Sequence, residues 1–75
     1  MSPGNAKTLW KAILEAGDFL KDKLPPHPSH PKGRNPYAHV ALEIKNKFGA
    51  SYKDIEDIKF NEVIHYIQHV RDNPS

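Results

Sequence analysis

The sequence predicts an all-α fold: a small bundle of three main helices plus one short helical turn, with a helix-turn-helix-like second half. Three observations carry that expectation. Apolar residues recur at helical spacing in three stretches, and breakers separate the stretches. The central stretch brings its own start and stop residues. No run alternates apolar and polar residues as a half-buried strand would.

The first stretch covers about residues 5–24. Leu9, Trp10, Ile13, Leu14, Gly17, Leu20 and Leu24 make one broad stripe, while Lys11, Asp18 and Asp22 lie off it. A mid-helix glycine costs ~1 kcal/mol against alanine. Gly17 within the stripe therefore points to close approach by another helix or an aromatic ring. Phe19 falls well off the stripe, either as a partly exposed ring at the edge of a small core or as a partner contact.

Residues 25–36 hold five prolines in twelve positions, which deletes backbone donors and forces extended geometry before each ring. The segment reads as a stiff, basic connector rather than a domain boundary, because neither flank can bury a core alone. It delivers Lys32 and Arg34 to the start of the central helix, residues 36–48. There Asn35 suits the N-cap and Pro36 the first helical position. Gly49 can close the helix in the left-handed conformation. Tyr37, Val40, Ala41, Ile44 and Phe48 share its apolar face.

Ser51 followed by Asp54 resembles a capping box with Asp in the Glu/Gln place, so one short turn of helix is expected over 51–55. Asp57 is then expected to cap a third long helix over about 58–72, with Phe60, Val63, Ile64, Ile67 and Val70 on its inner face. Tyr52, Ile55 and Ile58 lie between the two helices and should fill the angle between them. The expected core is Trp10, Leu20, Val40, Ile44, Phe48, Tyr52, Ile55, Phe60, Ile64 and Ile67.

Composition bounds the function. Seventy-five residues make one small domain, near the size at which a single core is only marginally sufficient. The absence of Cys removes disulfides and thiolate sites and fits a reducing cytoplasmic compartment. No apolar run approaches the ~20 residues of a membrane span, and Met1 to Asn5 lack the features of a signal peptide. Charge is unevenly placed: residues 1–26 carry a net +1, residues 27–53 a net +4 and residues 54–75 a net −3. A basic middle and an acidic end bear on partners more than on fold.

His65 and His69 stand four apart on a helix, a spacing able to place two imidazoles on one zinc ion, and His27 and His30 could add ligands. Neither pair has an acidic residue at a recognisable motif spacing, and His65 and His69 project away from the apolar face. They read as surface histidines, with no metal and no cofactor expected. No Gly-rich phosphate loop or nucleophile elbow is present, and no enzyme activity is expected.

Two function classes remain. In the first, the domain binds nucleic acid, DNA before RNA, through Lys32, Arg34, Asn35, Lys45, Lys47 and Lys53. Lys32 and Arg34 would add charge to the positive end and free N–H groups of the central helix, a setting that favours phosphate. Tyr37, His39 and Tyr52 can hydrogen-bond phosphates or stack. In the second, the domain is a protein-interaction or dimerisation module that meets another regulatory protein or a second copy of itself through Phe19 and Leu42, which lie off their helices' core faces. No membrane contact is expected in either.

Residues 48–55, Phe-Gly-Ala-Ser-Tyr-Lys-Asp-Ile, followed by 60–67, Phe-Asn-Glu-Val-Ile-His-Tyr-Ile, resemble the C-terminal domain shared by bacteriophage anti-repressor and related prophage regulatory proteins. In that family a helix ends in phenylalanine, a Ser-Tyr-x-x-Ile turn follows, and a closing helix ends in a hydrophobic run. Phe48, Ser51, Tyr52, Ile55, Phe60, Ile64 and Ile67 hold those places, and the likeness spans about residues 37–70. It implies a phage regulatory setting more than DNA contact by these residues, since the family's DNA-binding domain is usually a separate N-terminal module. Neither the Trp10 helix nor the approach from Lys32 to Pro36 belongs to the resemblance.

Overall fold

A computed structural model describes residues 1–21, 23 and 35–73. Three helices, α1 (Pro3–Leu20), α2 (Pro36–Phe48) and α3 (Phe60–Asp72), account for most of these residues. Two 3-10 turns, Tyr52–Asp54 and Asp57–Lys59, lie between α2 and α3. The all-α bundle expected from the sequence is what forms. The connection from α2 to α3 runs over residues 49–59, longer than the three- or four-residue turn of a DNA-binding helix-turn-helix.

α1 is the helix against which the other two pack, each of them more extensively than α2 and α3 pack on one another. Its buried positions Leu9, Ile13, Ala16, Gly17 and Leu20 repeat at three- and four-residue steps along one face. Val40 and Ile44 of α2, Val63, Ile67 and Val70 of α3, and Ile55 between them complete the core. Phe48, Tyr52, Phe60 and Ile64, expected inside, are only partly buried and pack around its rim. Phe48 meets Tyr66 edge to face with ring centroids 5.8 Å apart.

Gly17 behaves as its place in the stripe predicts. The Tyr37 ring lies directly over it, and a Cβ built there would come within 2.7 Å of Tyr37 Cε1 and closer still to Cδ1. Tyr37 completes the contact by donating its hydroxyl hydrogen to Asp18. That bond, followed by burial and the Asp18 charge, raises the phenol above its ordinary pKa.

α1 begins earlier than the periodicity implies. Ser2 is its N-cap, Pro3 occupies the first turn, and the Ser2 hydroxyl accepts from the Asn5 amide at 3.4 Å. It ends at Leu20 rather than near 24, with Lys21 as C-cap. Leu24 and most of the proline-rich connector, Lys32 and Arg34 included, lie outside the described residues. α2 matches its expected limits and caps. The Asn35 side chain accepts from Tyr37 N and Ala38 N, and Gly49 takes φ 74° with its N–H on Lys45 O.

Asp57 does not cap α3, which starts at Phe60 with no side-chain cap. Its carboxylate instead reaches back to α1, where Oδ1 accepts from Ser2 N at 2.6 Å and Asn5 Nδ2 at 3.1 Å. A carboxylate at that end also opposes the positive pole of α1. The Ser2 and Asn5 bonds hold Asp57 below its ordinary pKa. Ser51 likewise makes no side-chain cap; the turn after it is held by Asp54 N donating to Ser51 O at 2.9 Å. Ile58 sits in the second 3-10 turn and points outward at 84% exposure, so Ile55 fills the angle between the helices without it.

Two outcomes test these contacts. Gly17→Ala gains ~1 kcal/mol of helix propensity but forces the Tyr37 ring aside, and overpacking costs about 1–3 kcal/mol. Urea denaturation should show net destabilisation in the wild-type background and stabilisation in a Tyr37→Ala background, where the obstacle is gone. Asp57→Asn should lower the melting temperature at pH 7. Because the folded pKa of Asp57 is depressed, its contribution is complete above the ordinary carboxylate range and disappears as pH falls through the folded value. The two melting curves should therefore converge in strong acid; a gap that persists there would show that charge on Asp57 is not what matters.

Candidate functional site

His39, read as able to hydrogen-bond phosphates or stack, is only 7% exposed and lines the core, which leaves it little surface to offer a phosphate. Tyr37, offered for the same role, is committed to Gly17 and Asp18. The oxygens of Asn35 serve as a cap. Its Oδ1 accepts from Tyr37 N at 3.0 Å and Ala38 N at 3.1 Å, while its carbonyl accepts from His39 N at 3.0 Å. Pro36 has no N–H. The donors at the start of α2 are thus satisfied within the chain, and the free N–H groups expected to greet a phosphate there are not free.

The remaining cations of the predicted set cluster at the opposite end of α2. Lys45 and Lys47 lie in its last turn and Lys53 in the 3-10 turn beyond; all three are exposed. Thirteen residues of helix put that end about 20 Å from Asn35, so the described members of the predicted set do not form one patch with Asn35. Lys45 and Lys47 diverge further, since two residues turn the helix by ~200°. Lys47 belongs to the flank of Glu43 and Tyr66, and its ammonium lies 5.9 Å from the Tyr66 ring centre. Tyr66 also donates to Glu43 Oε2 at 3.4 Å; its burial and the Glu43 charge raise its pKa. Lys45 ends the row Tyr37–Ala41–Lys45 of α2, whose first member lies over Gly17 of α1.

The apolar stripe misplaces one further residue. Trp10, expected in the core, is 43% exposed. The centre of the stripe runs through Leu9, Ile13, Ala16 and Leu20, and Trp10 stands one residue, ~100°, around the helix. At that edge it stacks on Tyr52, with ring centroids 6.0 Å apart and planes 14° from parallel. Lys53 places its ammonium 5.9 Å from the Tyr52 ring centre. Lys7 and Lys11, both exposed, lie on the solvent side of Trp10 by helical phase. The ion pair found among the described residues is Arg71–Asp72 at 2.9 Å, so Lys7, Lys11, Lys45 and Lys53 have no carboxylate at ion-pair distance among them. Sequence reasoning passed over Lys7, Lys11 and Trp10, although the Lys-x-x-Trp-Lys spacing carries the signal.

The two expected partner residues occupy separate places. Phe19, 48% exposed, borders a shallow groove of about 210 Å3 between α1 and α3, with Ala12, Ala16, Ile64, Ile67 and Arg71 among its walls. Lys23 and Arg71 lie over its ring at 4.0 and 5.8 Å. Leu42, 56% exposed on α2, takes no part in that groove. His65 and His69 are exposed as expected; His69 stacks on Tyr66 at 5.9 Å. Among the described residues no three His, Asp or Glu side chains converge as a metal-ligand set, and no helix is long and apolar enough to cross a membrane. His27 and His30 lie outside the described residues.

Family models, curated proteins and solved structures were all compared with the chain, and none matches it.

Proposed function

We propose that this domain is a non-enzymatic nucleic-acid-binding module of a phage regulatory protein, gripping the sugar–phosphate backbone. The observation that carries the reading is a set of exposed lysines without ion-pair partners among the described residues: Lys53 beside the Tyr52 ring, Lys7 and Lys11 on the helix that carries Trp10, and Lys45 in the last turn of α2. Exposed, unpaired cations suit phosphate contact, because each phosphate they neutralise releases counterions condensed on the nucleic acid. Two of the five acids at the end of the chain are engaged elsewhere: Asp57 is turned to the start of α1, and Asp72 is paired with Arg71. Lys32 and Arg34 extend the basic character of the sequence, and Asn35 caps the helix they precede. Cytoplasmic action in a regulator of the prophage type fits the resemblance of residues 37–70.

A second reading, the protein-interaction module, draws on Phe19 at the mouth of the α1–α3 groove and on Leu42. It predicts self-association or a protein partner, lost on Phe19→Lys or Leu42→Lys without unfolding.

Salt-dependent binding separates the two. Affinity for DNA should fall linearly in log–log plots against salt. Lys53→Ala and Lys45→Ala should each lower the slope by about one unit, as loss of one phosphate contact requires. Arg34→Ala should act alike on every sequence. Lys47→Ala, on the other flank of α2, should change the slope little. Absence of measurable DNA affinity at low salt, together with association that Phe19→Lys abolishes, would transfer the function to the groove.

A further inference from the structure

We infer that Trp10, backed by Tyr52, is a stacking platform for an unpaired nucleobase, so that the module prefers single-stranded nucleic acid to duplex. The inference rests on the nucleic-acid reading above and names the form of nucleic acid that the same face takes.

The largest aromatic side chain of a small domain ordinarily contributes burial. Here Trp10 stays 43% exposed although it adjoins the core residue Leu9. Tyr52 holds the indole from one side with the two planes only 14° apart, so the orientation of Trp10 is set before any ligand arrives. A base cannot enter between the rings. Two contact layers of about 3.5 Å each exceed the 6.0 Å between their centroids. It adds instead to the open part of the indole and continues the Tyr52–Trp10 stack. Tyr52 is partly buried against the core, which anchors the platform to the bundle.

Charge complementarity identifies the occupant. Lys7 and Lys11 flank Trp10 on α1, and Lys53 flanks Tyr52; all three are exposed and none has an ion-pair partner among the described residues. An exposed indole with lysines one and three residues away on its own helix, and a third lysine over the ring stacked on it, matches a ligand that combines a flat base with phosphates. A purely apolar peptide would leave those charges unmatched. Duplex DNA presents the phosphates but keeps its bases stacked on one another, so the indole face finds no partner there. In a single strand the base is free to turn onto it.

Trp10 is the one tryptophan of the chain, so its fluorescence reports on this site alone. The test titrates the full chain with a ten-nucleotide oligothymidylate and, separately, with a mixed-sequence duplex of ten base pairs. Oligothymidylate should bind more tightly and quench the emission strongly; the duplex should bind through the lysines with little quenching. Trp10→Ala should weaken oligothymidylate binding by roughly 5- to 150-fold, the range for loss of one base–aromatic stack, and leave duplex affinity nearly unchanged. Trp10→Phe, which keeps a stacking ring and the helix, should retain most of the single-strand preference even if Trp10→Ala fails to fold. Lys53→Ala should weaken both ligands. If saturating oligothymidylate leaves the emission unchanged, or Trp10→Ala binds it as tightly as wild type while Lys53→Ala does not, the platform is overturned and the backbone-binding reading stands. If neither nucleic acid binds, both fall together.

Discussion

The approach of Tyr37 onto Gly17 is the contact on which the arrangement of this bundle depends. A side chain at position 17 would hold the ring away from α1, and with it the first turn of α2. The Tyr37–Asp18 hydrogen bond fixes the same contact from the polar side. From there α2 carries Val40 and Ile44 into the core. It also brings the chain to its C-terminal end, where Gly49 turns it and Tyr52 reaches Trp10. The meeting of Tyr52 with Trp10 therefore depends on a helix whose first turn is seated by one missing Cβ on α1.

The return of the chain between α2 and α3 settles a second matter, the distribution of charge. This segment holds Asp54, Glu56 and Asp57, which read as an acidic approach to the last helix. Asp57 leaves that role and closes the start of α1 across a separation of more than fifty residues. The Met1 amino group joins the same junction by donating to Lys53 O at 2.9 Å. A carboxylate that would otherwise repel an anion is thereby used to satisfy amide donors and a helix pole. Lys53, four residues earlier, stays exposed and has no ion-pair partner among the described residues.

What the sequence made legible was local. Asn35, Pro36 and Gly49 mark α2 because each acts on backbone groups within four residues, and Gly17 is conspicuous because glycine in an apolar stripe has few other reasons to be there. Positions decided by a distant partner were read less well. Asp57 precedes an apolar run and resembles a cap, yet its partners are at Ser2 and Asn5, which no spacing rule connects to it. Trp10 and Leu9 are neighbours in the stripe; only the direction from which α2 and α3 arrive determines that Leu9 is buried and Trp10 is not. His39 shows the reverse, a polar residue off the predicted face that the packing encloses. Of the predicted cation set, charge counting found Lys45 and Lys53 but not their separation from Asn35, because net charge by segment carries no information about which end of a helix a residue occupies.

Partial exposure of Trp10 has an energetic side. Burial contributes roughly 25 cal/mol for each Å2 of apolar surface removed from water, and a chain of this length has little core to spare. Leaving the indole half open forgoes part of that stabilisation. The stack with Tyr52 recovers some of it and also restricts the indole to one orientation. A ligand that meets an already ordered ring loses less affinity to side-chain ordering than one that must immobilise a free ring. The same geometry that costs the free domain stability thus lowers the cost of binding. The fold supplies the platform where a short 3-10 turn brings the Tyr52 ring alongside the indole at the edge of α1.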